Sequence, residues 1–571
     1  MKTNRRQFIQ SLAAGFAGFS LTPFLSADGK NRQLDSWSPI VNEKQQLYVG
    51  DKTAIADTQY GKVQGLILRD IYTFRGIPYG ADTGGKNRFM PPQKPEPWDD
   101  IFPAIWWGDD APQIMEGRYS NPYYSFRDHW NYYDLSEDCL NLNVWTPEIN
   151  DNKKRPVLVW LHGGGFRNGN SIEQDGYKGE NLSRKGDIVF VSINHRLGPI
   201  GFSDLSGVGG SKYADSGNVG ALDMVAALEW VKENISNFGG DPDNVTIIGQ
   251  SGGGAKVCIL MNMPQAKGLF HKAVALSGSS LGANDQKASR GVGQYILKEA
   301  DLDQGQLDKL QEMPWLDYLK LADKAAGKYA KDNSGNNFMG RFGPVADGKN
   351  ILKGEFFNDP NGLSTNVPLI ISSTFDEFAS SVDNPEIENI TKQEAIKRLR
   401  ERAGFRGGLG DKAPGAYEAY AKAFPESNDS ALPQATSPYD VMVLVQSGSM
   451  RNGVVRTANA KVKQKAPVYV DWFGWKPPMF NGRLGAFHTL DICFWFANTD
   501  LSLSHTGGGE RPRALSEKMS SALLQFMRSG DPNTKELPYW PAYTPEDGAT
   551  MILNDHCEVK NNPDGEARAH L

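Results

Sequence analysis

The stretch "NVTIIGQSGGGAKVCILMN", residues 244–262, changes its pattern abruptly at Ser251. Before the serine, a continuous apolar and β-branched run is typical of a strand that is buried on both faces. After the serine, three glycines lead into an apolar segment that favours a helix. We therefore predict a strand, a sharp turn and a helix, with one hydroxyl group held at the turn.

The rest of the chain repeats this alternation of strand and helix. A clear helical pattern, residues 221–238, has apolar positions at intervals of three and four and ends at Gly239. Apolar runs of strand length recur as PVLVWLH (156–162), DIVFVSIN (187–194), NVTIIG (244–249), HKAVALSG (271–278), VPLIISS (367–373) and APVYVDWF (466–473). Such alternation predicts an α/β fold with a central, mostly parallel, twisted sheet flanked by helices. Residues 127–139, 210–218 and about 280–345 fit it poorly, and we expect surface loops and a helical insertion there.

Composition limits the classes of partner. The 571 residues have a formal charge of -6 without long runs of one sign, which argues against a nucleic-acid or basic membrane surface. We therefore expect a small-molecule partner. Four cysteines, far apart and without a C-x-x-C unit, argue against a zinc site or a thiol redox centre.

The first residues have the features of an export signal. Arg5 and Arg6 precede an apolar stretch that ends in small residues at Ser26-Ala27, as in twin-arginine signal peptides. A single membrane anchor would also be apolar, but the stretch is short and contains Pro23. We predict a signal peptide over residues 1–27, a single large domain over 28–571, export to the periplasm or medium, and no stable membrane insertion after cleavage.

Residues 249–253, Gly-Gln-Ser-Gly-Gly, match the pattern Gly-x-Ser-x-Gly. In a nucleophile elbow the flanking positions must lack side chains, because the strand and the helix approach each other closely there. A phosphate-binding loop is excluded, since Lys256 is not followed by Ser or Thr. A simple glycine-rich turn would also produce this motif when it is taken alone.

A second motif makes such a simple turn improbable. "LHGGGFRNG", residues 161–169, follows a predicted strand and has the HGGG arrangement that completes an oxyanion hole. We expect the N–H groups of Gly164, Gly165 and Gly252 to be its donors. Together the two motifs predict an α/β-hydrolase with Ser251 as the nucleophile.

This chemistry also needs a histidine base and a carboxylate, which follow the serine in the order Ser, Asp or Glu, His. The histidines after Ser251 are His271, His488, His505, His556 and His570. His488 is the best candidate, because it lies on a glycine-containing loop just before an apolar stretch. The acid is expected at the end of the strand 367–373, where the residues alone do not distinguish Asp376 from Glu377.

Blocks from about residue 57 to residue 555 resemble the type-B carboxylesterase and cholinesterase family. They include YTFRGIPYG, SEDCLNLNVWTP, WLHGGGFRNG, NHRLGPIGF, GAFHTLDICFWF and FMRSGDPNTKELPYWPAY, in the order of the family. The resemblance implies a triad of Ser251, His488 and Glu377, the oxyanion donors Gly164, Gly165 and Gly252, and no metal or cofactor. It implies hydrolysis of small to medium carboxylic esters through an acyl-enzyme.

Several residues depart from the family pattern. Gln250 replaces a frequent Glu, which argues against a quaternary-ammonium substrate, and Phe378 replaces a common Gly. The usual partner of Cys139 is lost near Ala111, so we expect a free thiol, and the resemblance implies a structural role for Asp491. The competing interpretations are a lipase, amidase or lactonase with the same triad, or a non-catalytic binding protein on the same scaffold.

Overall fold

Among the residues that the structure describes, the strands form one large sheet and one small sheet. They are β1 Leu47–Tyr48, β2 Ile55–Thr58, β3 Gly61–Gln64, β4 Leu66–Leu68, β5 Ile71–Pro78, β6 Phe102–Pro103, β7 Asn141–Thr146, β8 Arg155–Leu161, β9 Val189–Ile193, β10 Gly240–Gln250, β11 Lys272–Leu276, β12 Leu369–Thr374, β13 Val468–Phe473, β14 Ala549–Leu553 and β15 Glu558–Asn561. The large sheet has 12 strands in the order β1-β4-β5-β7-β9-β8-β10-β11-β12-β13-β14-β15, and the small one has the order β2-β3-β6.

The six predicted strands are consecutive neighbours at the centre of the large sheet, from β9 to β13 in its spatial order. The seven strands from β9 to β14 in that order run parallel, and the pairs toward both edges are antiparallel. The mostly parallel central sheet expected from the apolar runs is therefore present.

The computed structural model describes residues 46–115, 126, 130–333, 342–379, 385–404, 407–427 and 431–571. The predicted signal peptide, residues 1–27, lies outside the described residues. Gln46–Leu571 form one compact unit. No helix of the described part of the chain is long and apolar enough to cross a membrane.

Helices connect the parallel strands and cover the sheet. They are α1 Glu180–Gly186, α2 Gly198–Phe202, α3 Ser206–Gly209, α4 Val219–Asn234, α5 Gly252–Leu260, α6 Gln286–Glu299, α7 Asp308–Glu312, α8 Trp315–Asp332, α9 Pro385–Glu388, α10 Lys392–Glu401, α11 Ala413–Ala423, α12 Pro438–Lys461, α13 Ile492–Trp495, α14 Leu503–Thr506, α15 Glu510–Ser529 and α16 Gly565–Arg568. The predicted helix 221–238 is α4 followed by a 3-10 turn, and it ends at Gly239 with a φ of 73°.

The central strands are buried on both faces, which is why their apolar residues are continuous rather than alternating. In β8, Leu158 and Trp160 belong to the hydrophobic cluster on one face of the sheet. Val157, Val159 and Leu161 belong to the cluster on the other face. Helices on both faces are therefore required, and the predicted α/β fold is confirmed.

The helical insertion predicted near 280–345 contains α6, α7 and α8. Its apolar residues form a third cluster, in which Ile296 and Tyr318 pack with Phe89 and Ile200 from earlier parts of the chain. Residues 334–341, in the same predicted segment, lie outside the described residues. The insertion thus packs against segments from outside it.

Candidate active site

The predicted elbow lies between β10 and α5. Ser251 has φ 58° and ψ −121°, a strained conformation for a residue with a side chain. Its N–H donates to the carbonyl oxygen of Leu276 at 2.8 Å, and its carbonyl oxygen accepts from Ala255 at 3.1 Å. These bonds hold the strained residue between a neighbouring strand and the first turn of the helix.

The glycines around Ser251 are required by close backbone contacts. A Cβ atom on Gly249 would lie 2.4 Å from the carbonyl carbon of Gly253. A Cβ atom on Gly253 would lie 2.0 Å from the carbonyl oxygen of Leu161, at the end of β8. Neither position has space for a side chain, because the obstructing atoms belong to the backbone.

The glycine loop after β8 lies directly against the elbow. Gly164 and Gly165 have φ angles of 78° and 66°, in the left-handed region. A Cβ atom on Gly252 would lie 2.3 Å from the carbonyl oxygen of Gly165. The three glycines predicted to be oxyanion donors therefore meet in one place. Their N–H groups donate to no other residue among those described.

Gln113 supports the far end of this loop. Its side-chain oxygen accepts from the N–H of Gly169 at 2.9 Å, and its side-chain nitrogen donates to the carbonyl oxygen of Gly169 at 3.1 Å. The N–H of Gly198 also donates to the carbonyl oxygen of Phe166 at 2.7 Å. The sequence carries no signal for this role of Gln113, because the residue lies far from the loop in the chain and belongs to no motif.

His488 and Glu377 are in direct contact. The Nδ1 atom of His488 lies 2.5 Å from Oε2 of Glu377, whose side chain is fully buried, whereas the histidine side chain is 23% exposed. The other carboxylate oxygen of Glu377 accepts from the N–H of Thr374 at 2.8 Å. The carboxylate thus contacts Nδ1, and Nε2 is the ring nitrogen that does not face Glu377.

Asp376 turns the other way and supports the loop that carries His488. Its Oδ2 atom accepts from the N–H of Ala486 at 2.7 Å. A Cβ atom on Gly485, which has a φ of 57°, would lie 2.3 Å from the same oxygen. Burial raises the pKa of Asp376 above its ordinary value. The two adjacent carboxyl groups thus hold different parts of one loop, a distinction that the residues alone did not make.

Gln250, rather than Ser251, makes the described contact between the elbow and His488. Its Nε2 atom lies 3.3 Å from Nδ1 and 3.4 Å from Nε2 of the imidazole. The hydroxyl group of Ser251 forms no hydrogen bond to another described residue. The residue before Ser251 therefore contacts His488, whereas Ser251 itself forms no direct hydrogen bond to His488 in this conformation.

The other histidines after Ser251 have different surroundings. The Nδ1 atom of His271 accepts from the N–H of Val245 at 3.1 Å, and His505 is buried against Phe487, with ring centroids 5.3 Å apart. His556 and His570 are exposed.

Asp491 lies close to the pair formed by Glu377 and His488. It is fully buried just before α13, and burial raises its pKa to about 7. Its side chain does not cap the helix. The negative charge of Glu377 adds to this rise, whereas the positive charge of a protonated His488 opposes it.

The expectation of a free thiol at Cys139 is confirmed. All four cysteines lie among the described residues, and all are buried and unbridged. Phe487, the residue before His488, is only 1% exposed and belongs to the core. Phe166 is partly exposed and packs edge-on against Phe202, with centroids 5.5 Å apart.

Comparison with known proteins extends the resemblance over almost the whole described chain. The model of the carboxylesterase family matches residues 52–569. The chain is 35% identical over 529 residues to the para-nitrobenzyl esterase of Bacillus subtilis, covering 90% of this chain and 98% of that protein. It is 30% identical over 518 residues to the phenmedipham hydrolase of Pseudarthrobacter oxydans, covering 88% and 95%.

Solved structures show the same relationship. An esterase from Clostridium hathewayi, described as able to hydrolyse aliphatic aromatic polyesters, superposes with a TM-score of 0.75 at 33% identity, covering 92% of this chain and 99% of that one. A carboxylesterase of Geobacillus stearothermophilus gives a TM-score of 0.72 at 32% identity, covering 90% and 99%. The chain therefore belongs to the type-B carboxylesterase family, with the α/β-hydrolase fold, and is a carboxylic-ester hydrolase.

Proposed function

We propose that the protein hydrolyses carboxylic esters with Ser251 as the nucleophile, His488 as the general base and Glu377 as the orienting acid. The observation that carries this proposal is the 2.5 Å contact between Glu377 and His488 beside the strained elbow. A carboxylate at Nδ1 holds the imidazole in the tautomer that can accept a proton at Nε2, and it stabilises the imidazolium that forms.

The reaction has two steps. Nε2 of His488 accepts the proton of Ser251 as its hydroxyl oxygen attacks the ester carbonyl, and the protonated imidazole then delivers that proton to the departing alcohol. Water enters, gives a proton to His488 and attacks the acyl carbonyl; the bond to the serine oxygen then breaks, and His488 returns the proton to Ser251 as the acid leaves. The first step requires Ser251 and His488 to move into hydrogen-bond distance. Such contacts often tighten only when substrate binds.

Gly164, Gly165 and Gly252 are the proposed oxyanion donors. The support for this is that the three glycines lie against one another and that their N–H groups have no acceptor among the described residues. The negative charge on the carbonyl oxygen develops only in the transition state, so donors fixed beforehand favour that state over the bound ester. One such donor contributes about 3 kcal/mol to transition-state stabilisation.

We propose small to medium esters as substrates. A relative is named as a para-nitrobenzyl esterase, and the partly exposed Phe166 places an apolar ring directly after the three glycines of the oxyanion loop. A panel of p-nitrophenyl esters from acetate to palmitate measures the preferred acyl length. A rate jump above the solubility limit of the long esters would indicate a lipase instead. Faster hydrolysis of anilides would indicate an amidase, and faster hydrolysis of lactones a lactonase.

The triad is tested by Ser251→Ala. We expect kcat for p-nitrophenyl acetate to fall by about a million-fold, with an unchanged circular dichroism spectrum, and an organophosphate to label the wild type at Ser251 only. Ser280→Ala is the matched control, because the Ser280 hydroxyl donates to the nearby carbonyl oxygen of Gly282 at 2.7 Å and has no proposed catalytic role. Substantial esterase activity in Ser251→Ala would refute the assignment.

We further propose that residues 1–27 direct export through the twin-arginine route to the periplasm or medium. The support is the Arg5-Arg6 pair before an apolar stretch with a small-residue end. Replacing both arginines by lysine should retain the esterase in the cytoplasm, as measured by activity in cell fractions. Unchanged export of the double variant would contradict this route.

A further inference from the structure

Lys256 is a fully buried lysine on α5, the helix that begins directly after Ser251. Its Nζ atom donates to the carbonyl oxygen of His162 at 2.8 Å. None of the ion pairs within 4.0 Å in the described part of the chain includes Lys256. The side chain thus reaches from the nucleophile helix to the end of β8, where the oxyanion loop begins.

This position is costly for a charged group. Burial lowers the pKa of Lys256 to about 7, and the attraction of Glu173 offsets only part of that effect. The other titratable groups around it are His162, at the end of β8, and His195, after β9. The two imidazole rings stack with centroids 5.1 Å apart, and burial followed by the charge of Lys256 lowers the pKa of His195 well below its ordinary value. An apolar side chain would avoid this desolvation penalty. The buried lysine therefore lowers the stability of the fold relative to an apolar residue at the same position.

The His162 carbonyl that Lys256 binds lies at the start of the oxyanion loop. The chain continues from His162 through three glycines, of which Gly164 and Gly165 have positive φ angles. Within the loop, the carbonyl oxygen of Gly164 accepts from the N–H of Asn168 at 3.0 Å, and Nδ1 of His162 lies 3.0 Å from the carbonyl oxygen of Gly163. Glycine peptides are conformationally free, so contacts at the two ends of the loop add to these in setting the direction of the N–H groups. Gln113 binds the far end at Gly169. Lys256 binds the near end.

We propose that Lys256 is a positioning residue for the oxyanion hole, whose ammonium group holds the His162 carbonyl and thereby fixes the peptide planes of Gly164 and Gly165. The inference rests on the proposed function, because it assigns those N–H groups to the developing oxyanion. A charge-assisted hydrogen bond is shorter and stronger than a neutral one. The protonated lysine therefore holds the loop best, and its positive charge also favours a negative charge in the hole.

The chain contains a natural control. Lys461, at the end of α12, is also fully buried, and its Nζ atom donates to the carbonyl oxygen of Ser364 at 3.1 Å. Burial lowers its pKa to about 8. Ser364 precedes β12 at the end opposite to Glu377. Replacement of Lys461 therefore removes a buried lysine and its carbonyl contact without touching the oxyanion loop.

The test compares Lys256→Met with Lys461→Met in the full chain. Methionine has similar length but no donor. For p-nitrophenyl acetate, we expect Lys256→Met to lower kcat by about 10- to 100-fold, the range caused by a misplaced or missing donor, with KM changed by less than about threefold. Affinity for an alkyl trifluoromethyl ketone, which adds to a serine as an oxyanion, should fall by a similar factor. Lys461→Met should stay within about twofold of the wild type in both.

The pH profile supplies a readout that a purely structural role would not move. In the wild type, kcat should decline above about pH 7 as Lys256 loses its proton, and this decline should be absent from Lys256→Met. Three results would each overturn the inference. They are superimposable pH profiles of the wild type and Lys256→Met, a ketone affinity of Lys256→Met within twofold of that of Lys461→Met, and a loss of activity in Lys256→Met that is confined to KM. If Lys256→Met does not fold, Lys256→Gln compared with Lys461→Gln decides in the same way, with partial activity expected because glutamine keeps a donor. Activity in Ser251→Ala would instead refute the proposed function, so the two failures are distinguishable.

Discussion

At the scale of single residues, the charge around the His488 ring depends on which neighbouring side chains contact the ring and which contact the backbone of its loop. Glu377 contacts the ring at Nδ1, whereas Asp376 holds the backbone of the same loop through Ala486. Gln250 places a neutral amide 3.3 Å from the ring. In the proposed mechanism, the imidazolium is therefore stabilised by one buried carboxylate, with no second charge from the elbow.

Gln250→Glu tests this arrangement. A carboxylate at this position would stabilise the protonated imidazole, so the base would become available only at higher pH. We expect the acid limb of the kcat/KM profile to move upward by about one pH unit, as measured with p-nitrophenyl acetate from pH 5 to 9. Gln294→Glu, at an exposed position on α6, adds the same charge away from the site and should leave the limb in place. An unchanged limb in Gln250→Glu would show that the amide does not face the working imidazole.

At the scale of elements, the site depends on how closely α5 approaches the end of β8. The backbone of Gly253 packs against the carbonyl oxygen of Leu161. The same approach brings Gly252 against Gly165 and allows Lys256 to reach His162. The absence of side chains in the elbow is therefore a packing requirement of the pair formed by the strand and the helix, and the oxyanion loop depends on it.

Gly253→Ala should be strongly destabilising. Its Cβ atom would lie 2.0 Å from a backbone oxygen that cannot move without displacing β8. We expect the unfolding free energy to fall by about 3 kcal/mol, as for other overpacked sites, and esterase activity to fall with it. Gly327→Ala on α8 is the control, because nothing lies within 4 Å of the added atom. It should be neutral or stabilise the protein by up to about 1 kcal/mol, as measured by urea denaturation.

At the scale of the whole molecule, several ionisable groups are buried, and they act on stability in opposite directions as pH changes. Lys256 binds fewer protons in the folded than in the unfolded state between about pH 7 and its ordinary pKa, so its effect on stability becomes more favourable as pH rises. Asp110 behaves in the opposite way. Burial raises its pKa to about 8, and it accepts from the side chain of Asn170 and the N–H of Tyr133, both at 2.9 Å.

Asp110→Asn isolates one of these contributions. The raised folded pKa means that the folded state binds an extra proton between about pH 4 and 8, so the contribution of Asp110 is full below pH 4 and is lost as pH rises to 8. We therefore expect the stability of the variant relative to the wild type to increase by several kcal/mol over that window. Urea denaturation at pH 5, 6.5 and 8 measures it. Asp70→Asn, at an exposed turn, should show no such trend, and parallel pH profiles of Asp110→Asn and the wild type would contradict the burial effect.

The amino-acid sequence alone determined the central architecture. All six apolar runs became adjacent strands, and the predicted helix after residue 220 became α4, because burial on both faces leaves a continuous apolar pattern that local sequence displays. The strands toward the edges of the sheet were less evident from the sequence. β14 is the last of the parallel strands but was not predicted, since ATMIL is short and follows a polar segment.

The motifs also predicted which glycines and which serine would meet, because the elbow and the loop after β8 impose local backbone requirements that only glycine meets. The family resemblance implied Glu377, and the tertiary structure shows that its carboxyl group contacts His488. Only the tertiary structure revealed that Gln250, Gln113 and Lys256 contact the site. These contacts join segments that are distant in the chain. Their geometry follows from how the parallel strands align their carboxyl ends, and a single sequence displays periodicity and spacing but not that alignment.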